Sequence, residues 1–263
     1  MNAPTDGPSA RPLAGLIVAV TRPRTKGDRL AAELRRLGAE VVEAPALHLT
    51  PPRDPGPLAR AAARLADFDW VAVTSAAGIH ALAAAAQAAG GGSPRRLAVV
   101  GSETSAAAAA AGWEVTLVPE HFDAEGLLEA LDHTAVPLAG AHVLLPLAEG
   151  AREVLPEGLR ARGARVERVA AYGSAPAAPA DLEELSACLR DGRLRLLTLT
   201  SSSAARNLLA AVGERVLVVP VAAVGPVTAE TSRELGYRVV TVAEGHPMDG
   251  LVQAVVTWWA AAR

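Results

Sequence analysis

The stretch LLTLTSSS at residues 196–203 is an apolar run that ends abruptly in Thr and Ser, directly before a segment of helical periodicity. The same design occurs at residues 70–79, where WVAVTSAAGI passes from apolar residues through Thr and Ser into an alanine-rich segment. Each stretch is typical of a β-strand followed by a helix N-terminus, where Thr and Ser are favoured. The sequence therefore uses one strand-to-helix design twice.

Short β-branched runs alternate with helical patterns along the rest of the chain, such as DRLAAELRRL at 28–37 and VLPEGLRARG at 154–163. Strands interleaved with helices predict parallel sheets covered on both faces, because parallel strands need crossover connections. The predicted fold class is α/β. The predicted strands are residues 16–20, 40–44, 70–73, 97–100, 114–118, 142–145, 165–169, 195–199, 221–224 and 238–242.

The chain also contains an internal repeat. The segment DRLAAELRRLGAEV at 28–41 matches EVLPEGLRARGARV at 153–166 in its amphipathic spacing and in the Gly before the next strand. A second pair, AVVGSETSAAAAAAGWEV at 98–115 and AAVGPVTAETSRELGYRV at 222–239, matches at nearly the same spacing. The two halves of the sequence are therefore copies of one structural plan.

Two Pro-rich segments lie at equivalent places in the repeats, PALHLTPPRDPGP at 45–57 and AAYGSAPAAPA at 170–180. We interpret them as two linkers that cross together between two lobes. A simpler alternative divides the chain into two consecutive halves near residue 140 and leaves these segments as ordinary loops. The favoured division gives one discontinuous lobe, residues 1–48 plus 173–263, and one inserted lobe, residues 49–172.

Size and charge limit the class of protein. A chain of 263 residues with 51% hydrophobic residues predicts two domains of about 100 to 150 residues each. The formal net charge of −3 and the pI near 6.1 provide no basic field for a nucleic acid or an anionic membrane. We therefore expect neither a nucleic-acid partner nor a membrane partner.

The N-terminal segment, the lack of a membrane-spanning stretch and the single cysteine predict a cytoplasmic location. Residues 1–14 lack an apolar core, so they are predicted to be a disordered tail and not a signal peptide. No apolar stretch approaches the roughly 18 to 20 residues that span a bilayer. Cys188 cannot form an intramolecular disulfide, and its place in a helical pattern predicts a small packing residue.

Four strand ends share small hydroxyl residues or Gly, in TSAAGI, GSETSA, TSSSAA and GPVTAE. Ligands of open parallel sheets bind beyond the strand carboxyl ends, where helix N-termini present free N–H groups. Any one of these stretches can equally be a simple N-cap, but four in symmetric places favour a cleft that receives a polyanion. The predicted substrate-binding residues are Thr21, Arg22, Thr74, Ser75, Ala76, Gly101, Thr104, Ser201, Ser202, Ser203, Gly225 and Thr228.

The first strand-to-helix loop, VTRPRTKGD at 20–28, adds Arg22, Arg24 and Lys26 at a strand carboxyl end. A solvated basic loop is the alternative interpretation, since arginine is common throughout this chain. The position of the loop beside the expected cleft favours contact with an anion.

Signatures of several other chemistries are missing from the sequence. There is no phosphate-binding G-x-x-x-x-G-K-[ST], no G-x-G-x-x-G after the first strand and no G-x-S-x-G elbow. The six histidines show no metal-ligand spacing. Nucleotide, metal and acyl-enzyme chemistry therefore have no support, and we expect neither a cofactor nor a metal.

Six segments follow one another along the chain in a fixed order: VTRP (20–23), WVAVTSAAGIHAL (70–82), AVVGSETSAAAAAAGW (98–113), LLPLAEGAREVLPEGLRARGARVERVAAY (144–172), LTLTSSSAARNLL (197–209) and AAVGPVTAETSRELGY (222–237). This ordered set resembles the uroporphyrinogen-III synthase family. Val73 and Ser202 differ from that family, which often has Phe before the Thr-Ser position and Pro or Asn within it. Both changes leave the backbone donors intact.

The resemblance implies two flavodoxin-like lobes joined by a two-stranded linker, with the substrate in the cleft between them. It implies a lyase whose small-molecule substrate is hydroxymethylbilane, a linear tetrapyrrole with eight carboxylates. The reaction loses water, inverts ring D through a spiro intermediate and closes the macrocycle to uroporphyrinogen III, without consuming a cofactor. We expect a monomer.

Tyr172 is the candidate catalytic residue. It is one of two tyrosines, lies in the second Pro-rich segment and matches the tyrosine that the family pattern has there. Its phenol could donate a hydrogen bond to the departing hydroxyl, while a structural role at a hinge is the alternative. Tyr237, which follows a helix-ending Gly, is predicted to be a packing residue.

Two other classes of function stay open at this point. A non-catalytic two-lobed binding module for a small polyanion would share the α/β lobes and the cleft. A nucleotide-sugar transferase would share the lobe architecture, although the sequence has no distinct diphosphate or metal motif.

Overall fold

The computed structural model describes residues 11–23, 29–244 and 247–263. In chain order its helices and strands are β1 (Ile17–Val20), α1 (Arg29–Arg36), β2 (Glu40–Glu43), β3 (Leu47–Thr50), α2 (Gly56–Ala62), β4 (Trp70–Val73), α3 (Ala76–Ala88), β5 (Leu97–Val99), α4 (Gly101–Ala110), α5 (Ala124–Asp132), β6 (His142–Ala148), α6 (Val154–Ala161), β7 (Arg165–Pro176), α7 (Glu183–Arg190), β8 (Leu196–Leu199), α8 (Ser202–Val212), β9 (Pro220–Ala223), α9 (Pro226–Glu234), β10 (Arg238–Val242) and α10 (Pro247–Ala261). The helices and strands of the described residues mostly alternate, except that β3 follows β2 and α5 follows α4 directly.

Contacts divide the chain into two compact units. Unit 1 contains the described residues up to His48 together with Ala175–Arg263, and unit 2 is Leu49–Ser174. The sequence-based division has the same first boundary and places the second boundary two residues earlier. Each unit contains one five-stranded sheet.

The sheet of unit 1 has the strand order β10-β9-β8-β1-β2, and all four neighbouring pairs are parallel. Numbered by their order in the chain, these strands run 2-1-3-4-5 across the sheet, which is the flavodoxin-like order. One face packs on α7 and α8 through residues such as Leu185 and Leu208. The other face packs on α1 and α10 through Leu34 and Val255, so both faces of the sheet are covered.

The sheet of unit 2 has the order β3-β7-β6-β4-β5, and the β7-β6, β6-β4 and β4-β5 pairs are parallel. Its first face packs on α2, α3 and α4 around residues such as Ile79. Its second face packs on α5 and α6 around Trp70 and Leu159. The α/β fold class is therefore confirmed, with two sheets of mostly parallel strands.

The sheet orders show how the sequence repeat is built into the molecule. The repeat equates β1 with β6, β2 with β7, β8 with β4, and β9 with β5, and the resulting orders β2-β1-β8-β9 and β7-β6-β4-β5 are the same. Each unit therefore contains the first half of one repeat and the second half of the other.

The predicted strand at residues 114–118 is wrong. The structure has only an isolated bridge between Ala98 and Leu117 where unit 1 has the complete strand β10. The carbonyl oxygen of Leu97 accepts hydrogen bonds from both Thr116 N and Leu117 N, at 2.8 Å and 3.1 Å. Because two successive amides share one carbonyl, the regular ladder does not extend along this segment.

The Pro-rich segments contain more strand than the sequence predicts. The first segment includes β3, which is at the edge of the unit 2 sheet beside β7. The second is the end of β7, which continues to Pro176 instead of ending at residue 169. Pro51 and Pro52 follow β3 directly, and an edge strand tolerates neighbouring prolines that a central strand would not.

The predicted tail at residues 1–14 is wrong in its last four residues, and residues 1–10 lie outside the described part of the chain. Leu13 is fully buried beside Leu16 and Leu34, and its backbone N–H donates to the Leu37 carbonyl at 3.0 Å. A buried apolar side chain and a backbone hydrogen bond therefore attach this segment to unit 1. Within the described ranges, no helix has the length and apolar character needed to cross a bilayer.

Candidate functional site

The helices that follow β4 and β8 begin with the same serine cap. Ser75 has φ −153° and ψ 149°, and its Oγ accepts the N–H of Gly78 at 3.1 Å. Ser201 has φ −161° and ψ 155°, and its Oγ accepts the N–H of Ala204 at 3.1 Å. The sequence predicts both serines at strand carboxyl ends, where a cap is expected. Each cap satisfies one of the N–H groups at its helix terminus, and the dipole of the helix favours an anion there.

The helices that follow β5 and β9 begin at glycines and have no side-chain cap. Gly101 is the first residue of α4 and has a φ of 80°, a left-handed value that favours glycine. Gly225 precedes α9 with a φ of 179°, an extended value open to any residue. The equivalent positions in the two units therefore share glycine but not its conformation.

Three predicted binding residues have buried side chains. The Thr21 hydroxyl donates to the Thr198 carbonyl at 2.7 Å, which ties the end of β1 to β8. Thr104 and Thr228 lie on the buried sides of α4 and α9. The sequence could not show which way these side chains face. We therefore assign the three hydroxyls a structural role, and substrate contact at these positions would have to use the backbone.

Tyr172 and Ser75, two predicted site residues, are brought together in unit 2. The Tyr172 hydroxyl lies 3.0 Å from Ser75 Oγ, and either group can be the donor. The Tyr172 side chain is half-buried in the second half of β7, which is separated from β4 by β6 in the sheet. A phenol and the N-terminus of α3 therefore occupy one small region.

An extra residue in β7 turns Tyr172 toward Ser75. Leu147 on β6 pairs with Ala170, but the next residue of β6 pairs with Tyr172, so Ala171 has no partner across the ladder. Regular alternation would place Tyr172 on the same face as Val166, which packs toward α5 and α6. Tyr172 instead packs with Ala171 on the face covered by α3. Such an irregularity re-aims side chains, and here it directs the phenol to the helix cap.

The remaining predicted residues occupy varied environments. Arg22 is half-buried, and its Nη1 lies 2.9 Å from the Met248 sulfur. Ser202 Oγ lies 2.9 Å from Thr231 Oγ1, which joins α8 to α9. Arg24 and Lys26 lie outside the described residues. Thr74 and Ala76 are half-buried, whereas Ser203 is exposed.

Two groups with raised pKa values lie in the core of unit 1. Burial raises the pKa of the Tyr237 phenol, whose hydroxyl donates to the Ala205 carbonyl at 2.9 Å. Burial also raises the pKa of the Cys188 thiol. The sequence predicts both as packing residues, and their burial confirms this. In the described part of the chain, no group of three or more His, Cys, Asp or Glu side chains is arranged to hold a metal.

Comparison with known proteins identifies the family. The profile described as uroporphyrinogen-III synthase HemD matches residues 28–253. A protein of Synechococcus elongatus named uroporphyrinogen-III synthase is 36% identical over 261 residues, covering 94% of this chain and 97% of its own. The chain belongs to the uroporphyrinogen-III synthase family. A protein of Methanothermobacter thermautotrophicus, named as a putative uroporphyrinogen-III synthase, is 40% identical over 49% of this chain and 54% of its own length.

Solved structures of uroporphyrinogen-III synthases share the fold. A mutant enzyme of the extreme thermophile Thermus thermophilus superimposes with a TM-score of 0.61 at 22% identity, covering 94% of this chain and 100% of that one. The Helicobacter pylori enzyme has a TM-score of 0.57 at 12% identity, covering 92% and 99%. At these identities the likeness concerns the fold alone, and it agrees with the two α/β units.

One group beside the family's candidate tyrosine is not among the residues predicted from the sequence. Glu149 follows β6, and its backbone N–H donates to the Tyr172 carbonyl at 2.8 Å. When the two repeats are aligned, Glu149 occupies the position of Arg24 in the basic loop. Comparing the two loop sequences would therefore have revealed a reversal of charge at this position.

Proposed function

We propose that this chain catalyses the uroporphyrinogen-III synthase reaction, in which hydroxymethylbilane loses water and closes with inversion of ring D. Membership of the family, with a named relative aligned over almost the whole of both chains, is the observation that carries the proposal. The reaction makes the protein a lyase of tetrapyrrole and heme biosynthesis. It requires neither a metal nor a nucleotide.

We assign substrate binding to the helix N-termini of both units. The substrate has eight carboxylates, and a helix N-terminus offers backbone donors and a favourable dipole to each anion that it meets. The serine-capped helices α3 and α8 and the glycine-started helices α4 and α9 provide four such termini. Arg22 adds a cation at the end of β1. The proposed contacts are Arg22, Thr74, Ser75, Ala76, Gly101, Ser201, Ser202, Ser203 and Gly225.

We assign Tyr172 to the departure of water. The hydroxyl of the hydroxymethyl group leaves as water when its oxygen receives a proton and the carbon–oxygen bond breaks, and loss of the pyrrole N–H proton then gives the azafulvene. The Tyr172 hydroxyl already takes part in a hydrogen bond with Ser75 Oγ at 3.0 Å, and a departing hydroxyl could take the place of that partner. A positioned donor at this atom lowers the barrier of the first step.

Ring inversion depends on the shape in which the substrate is held. The substituted α-carbon of ring D attacks the electrophilic azafulvene carbon, and the spiro intermediate then fragments and recombines with the ring inverted. Free in solution, the same chain closes at the unsubstituted position and gives the type I isomer. Binding groups at the helix N-termini would restrict a flexible tetrapyrrole to the geometry of the inverted product.

We also propose that units 1 and 2 are the functional lobes, and that the protein acts as a monomer in the cytoplasm. The contact-based division at His48 and Ala175 supports the first point. A single buried cysteine, which needs no oxidising environment, is consistent with a cytoplasmic location. Light scattering after size-exclusion chromatography would measure the oligomeric state.

The decisive experiment supplies hydroxymethylbilane to the purified protein and separates the oxidised products by isomer. We expect mainly the type III product without added metal or nucleotide, and no change after treatment with a chelator. A product mixture equal to that of a protein-free control would contradict the proposed activity. Binding of hydroxymethylbilane without turnover would instead support a two-lobed binding module.

A further inference from the structure

Glu149 joins three segments beside Tyr172. Its backbone N–H donates to the carbonyl of Tyr172, the residue that directly follows Ala171, the extra residue of β7. Its carboxylate Oε1 accepts the backbone N–H of Arg53 at 2.5 Å. The end of β6, the segment after β3 and the end of β7 are therefore connected through one residue.

Gly173 makes room for this carboxylate. A Cβ built at Gly173 would lie 2.8 Å from Thr50 Oγ1 and 3.2 Å from Glu149 Oε2. The first of these distances is shorter than real Cβ contacts, so a larger residue would push the Thr50 or Glu149 side chain away. The residue next to Tyr172 thus lets the carboxylate and the edge strand β3 approach β7 closely.

The hydrogen bond from the Arg53 backbone N–H accounts for the position of the Glu149 side chain more than the ion pair with the Arg53 guanidinium does. The Arg53 guanidinium Nε lies 3.7 Å from Oε2, but the Arg53 side chain is 94% exposed. An ion pair in such surroundings is screened and contributes little. The Glu149 side chain is 29% exposed and accepts a short hydrogen bond from a backbone amide, which fixes the path of the chain.

We propose that Glu149 is a positioning residue for Tyr172. By holding the segment after β3 against the end of β7, it keeps the irregular part of that strand in the register that aims the phenol at Ser75. The proposal deepens the proposed function, because it assumes that Tyr172 acts on the substrate. Glu149 itself need not touch the substrate.

The first test does not depend on activity. The chain has two tyrosines, so ring-labelled tyrosine gives one NMR signal set from Tyr172 and one from buried Tyr237, which serves as an internal reference. We expect Glu149→Ala to shift or broaden the Tyr172 signals and to leave those of Tyr237 unchanged. Tyr172 signals identical to those of the unmodified protein would overturn the proposal.

Glu153→Ala is the matched control for this experiment. Glu153 lies in the same connection between β6 and α6, and it also pairs with a residue of β7, Arg168, which precedes Tyr172 by four residues. We expect the Tyr172 signals to stay in place in this variant. Equal shifts from both variants would show a general disturbance of the loop and would also overturn the proposal.

The second test measures coupling in the synthase assay. We expect Glu149→Ala to lower kcat by about tenfold and to change KM by less than about twofold, because the phenol is displaced while the binding helices remain. In the Tyr172→Phe background the same change should lower kcat by less than about twofold. An equal loss in both backgrounds would mean that Glu149 acts independently of Tyr172.

Glu149→Gln separates position from charge. Glutamine keeps a carbonyl oxygen that can accept the Arg53 N–H, so we expect most of kcat to be retained. A loss as large as that of Glu149→Ala would assign the effect to the negative charge and reject a positioning role. If the unmodified protein makes no type III product, the proposed function fails, whereas the NMR comparison still decides whether Glu149 positions Tyr172.

Discussion

Units 1 and 2 begin equivalent helices with the same serine cap but use their tyrosines differently. In unit 2, the capping Ser75 also contacts Tyr172, whose ring is half-buried. In unit 1, Ser201 makes the same cap, while Tyr237 is buried and donates to the Ala205 carbonyl. The duplicated plan therefore supplies serine-capped helix N-termini in both units, whereas the half-buried phenol belongs to unit 2. In the proposed function, both units would bind the substrate and only unit 2 would donate a proton.

The largest expected effect comes from removing the phenol of unit 2. Tyr172→Phe should lower the synthase rate by roughly ten- to a thousandfold, a range that overlaps the contribution of positioned acids. The product captured by the enzyme should remain type III, on a rising background of spontaneous type I. Rates come from the isomer assay, and Tyr237→Phe is the control that should stay near normal. Near-normal turnover of Tyr172→Phe would return this residue to a packing or hinge role.

Alkaline pH should expose the different role of Tyr237. Its pKa is raised in the folded state, so the folded protein holds the proton after the unfolded chain has lost it near pH 10. The stabilisation is therefore complete below pH 10 and is lost as pH rises above it, by about 1.4 kcal/mol per pH unit. Urea unfolding at several alkaline pH values measures this slope. Tyr237→Phe should reduce it, and an unchanged slope would contradict the assignment.

Substitutions at Gly101 and Gly225 test the difference in backbone conformation at the start of α4 and α9, the two helices without a side-chain cap. Gly101→Ala should destabilise the protein by about 1 to 2 kcal/mol, because its φ of 80° is strained for a residue with a Cβ. An added Cβ has no close neighbour at either position, so crowding does not complicate the comparison. Gly225→Ala should change stability by less than about 0.5 kcal/mol. Equal losses in urea unfolding would remove the distinction.

The smallest expected difference concerns the two caps. Ser75→Ala and Ser201→Ala should each cost about 1 kcal/mol of stability, the usual value of an N-cap. Ser75→Ala should in addition lower kcat more than Ser201→Ala, since it removes the partner of the Tyr172 hydroxyl. Unfolding and the isomer assay give the two quantities separately. A larger loss of kcat from Ser201→Ala would reverse the proposed roles of the units.

The parts of the structure that follow local rules could be predicted from the sequence. Apolar runs ending in Thr-Ser identify the caps at Ser75 and Ser201, because both the strand and the cap depend on neighbouring residues. The repeat also reveals the equivalence of the strands. These features determine the fold class and the strand ends that carry the candidate site.

The remaining features depend on contacts between distant residues. The β-branched pattern of the sequence does not show that Ala171 lacks a partner on β6. This irregularity nevertheless determines the direction of the Tyr172 side chain. The bond between Glu149 and Arg53 joins residues 96 positions apart. The sequence alone places Leu13 in a tail, because its docking place is made by residues that follow it in the chain. Local periodicity carries no information about such partners.

The division of each repeat between the units has a consequence for synthesis on the ribosome. Unit 2 is a continuous segment, so it can fold once Ser174 has emerged. The earlier strands β1 and β2 must wait for β8, and Leu30 and Leu34 of α1 pack against Leu251 and Val255 of α10. The helix α1 is therefore covered by α10, which is made much later. A nascent chain that stalls before α10 would leave that apolar surface open to chaperones.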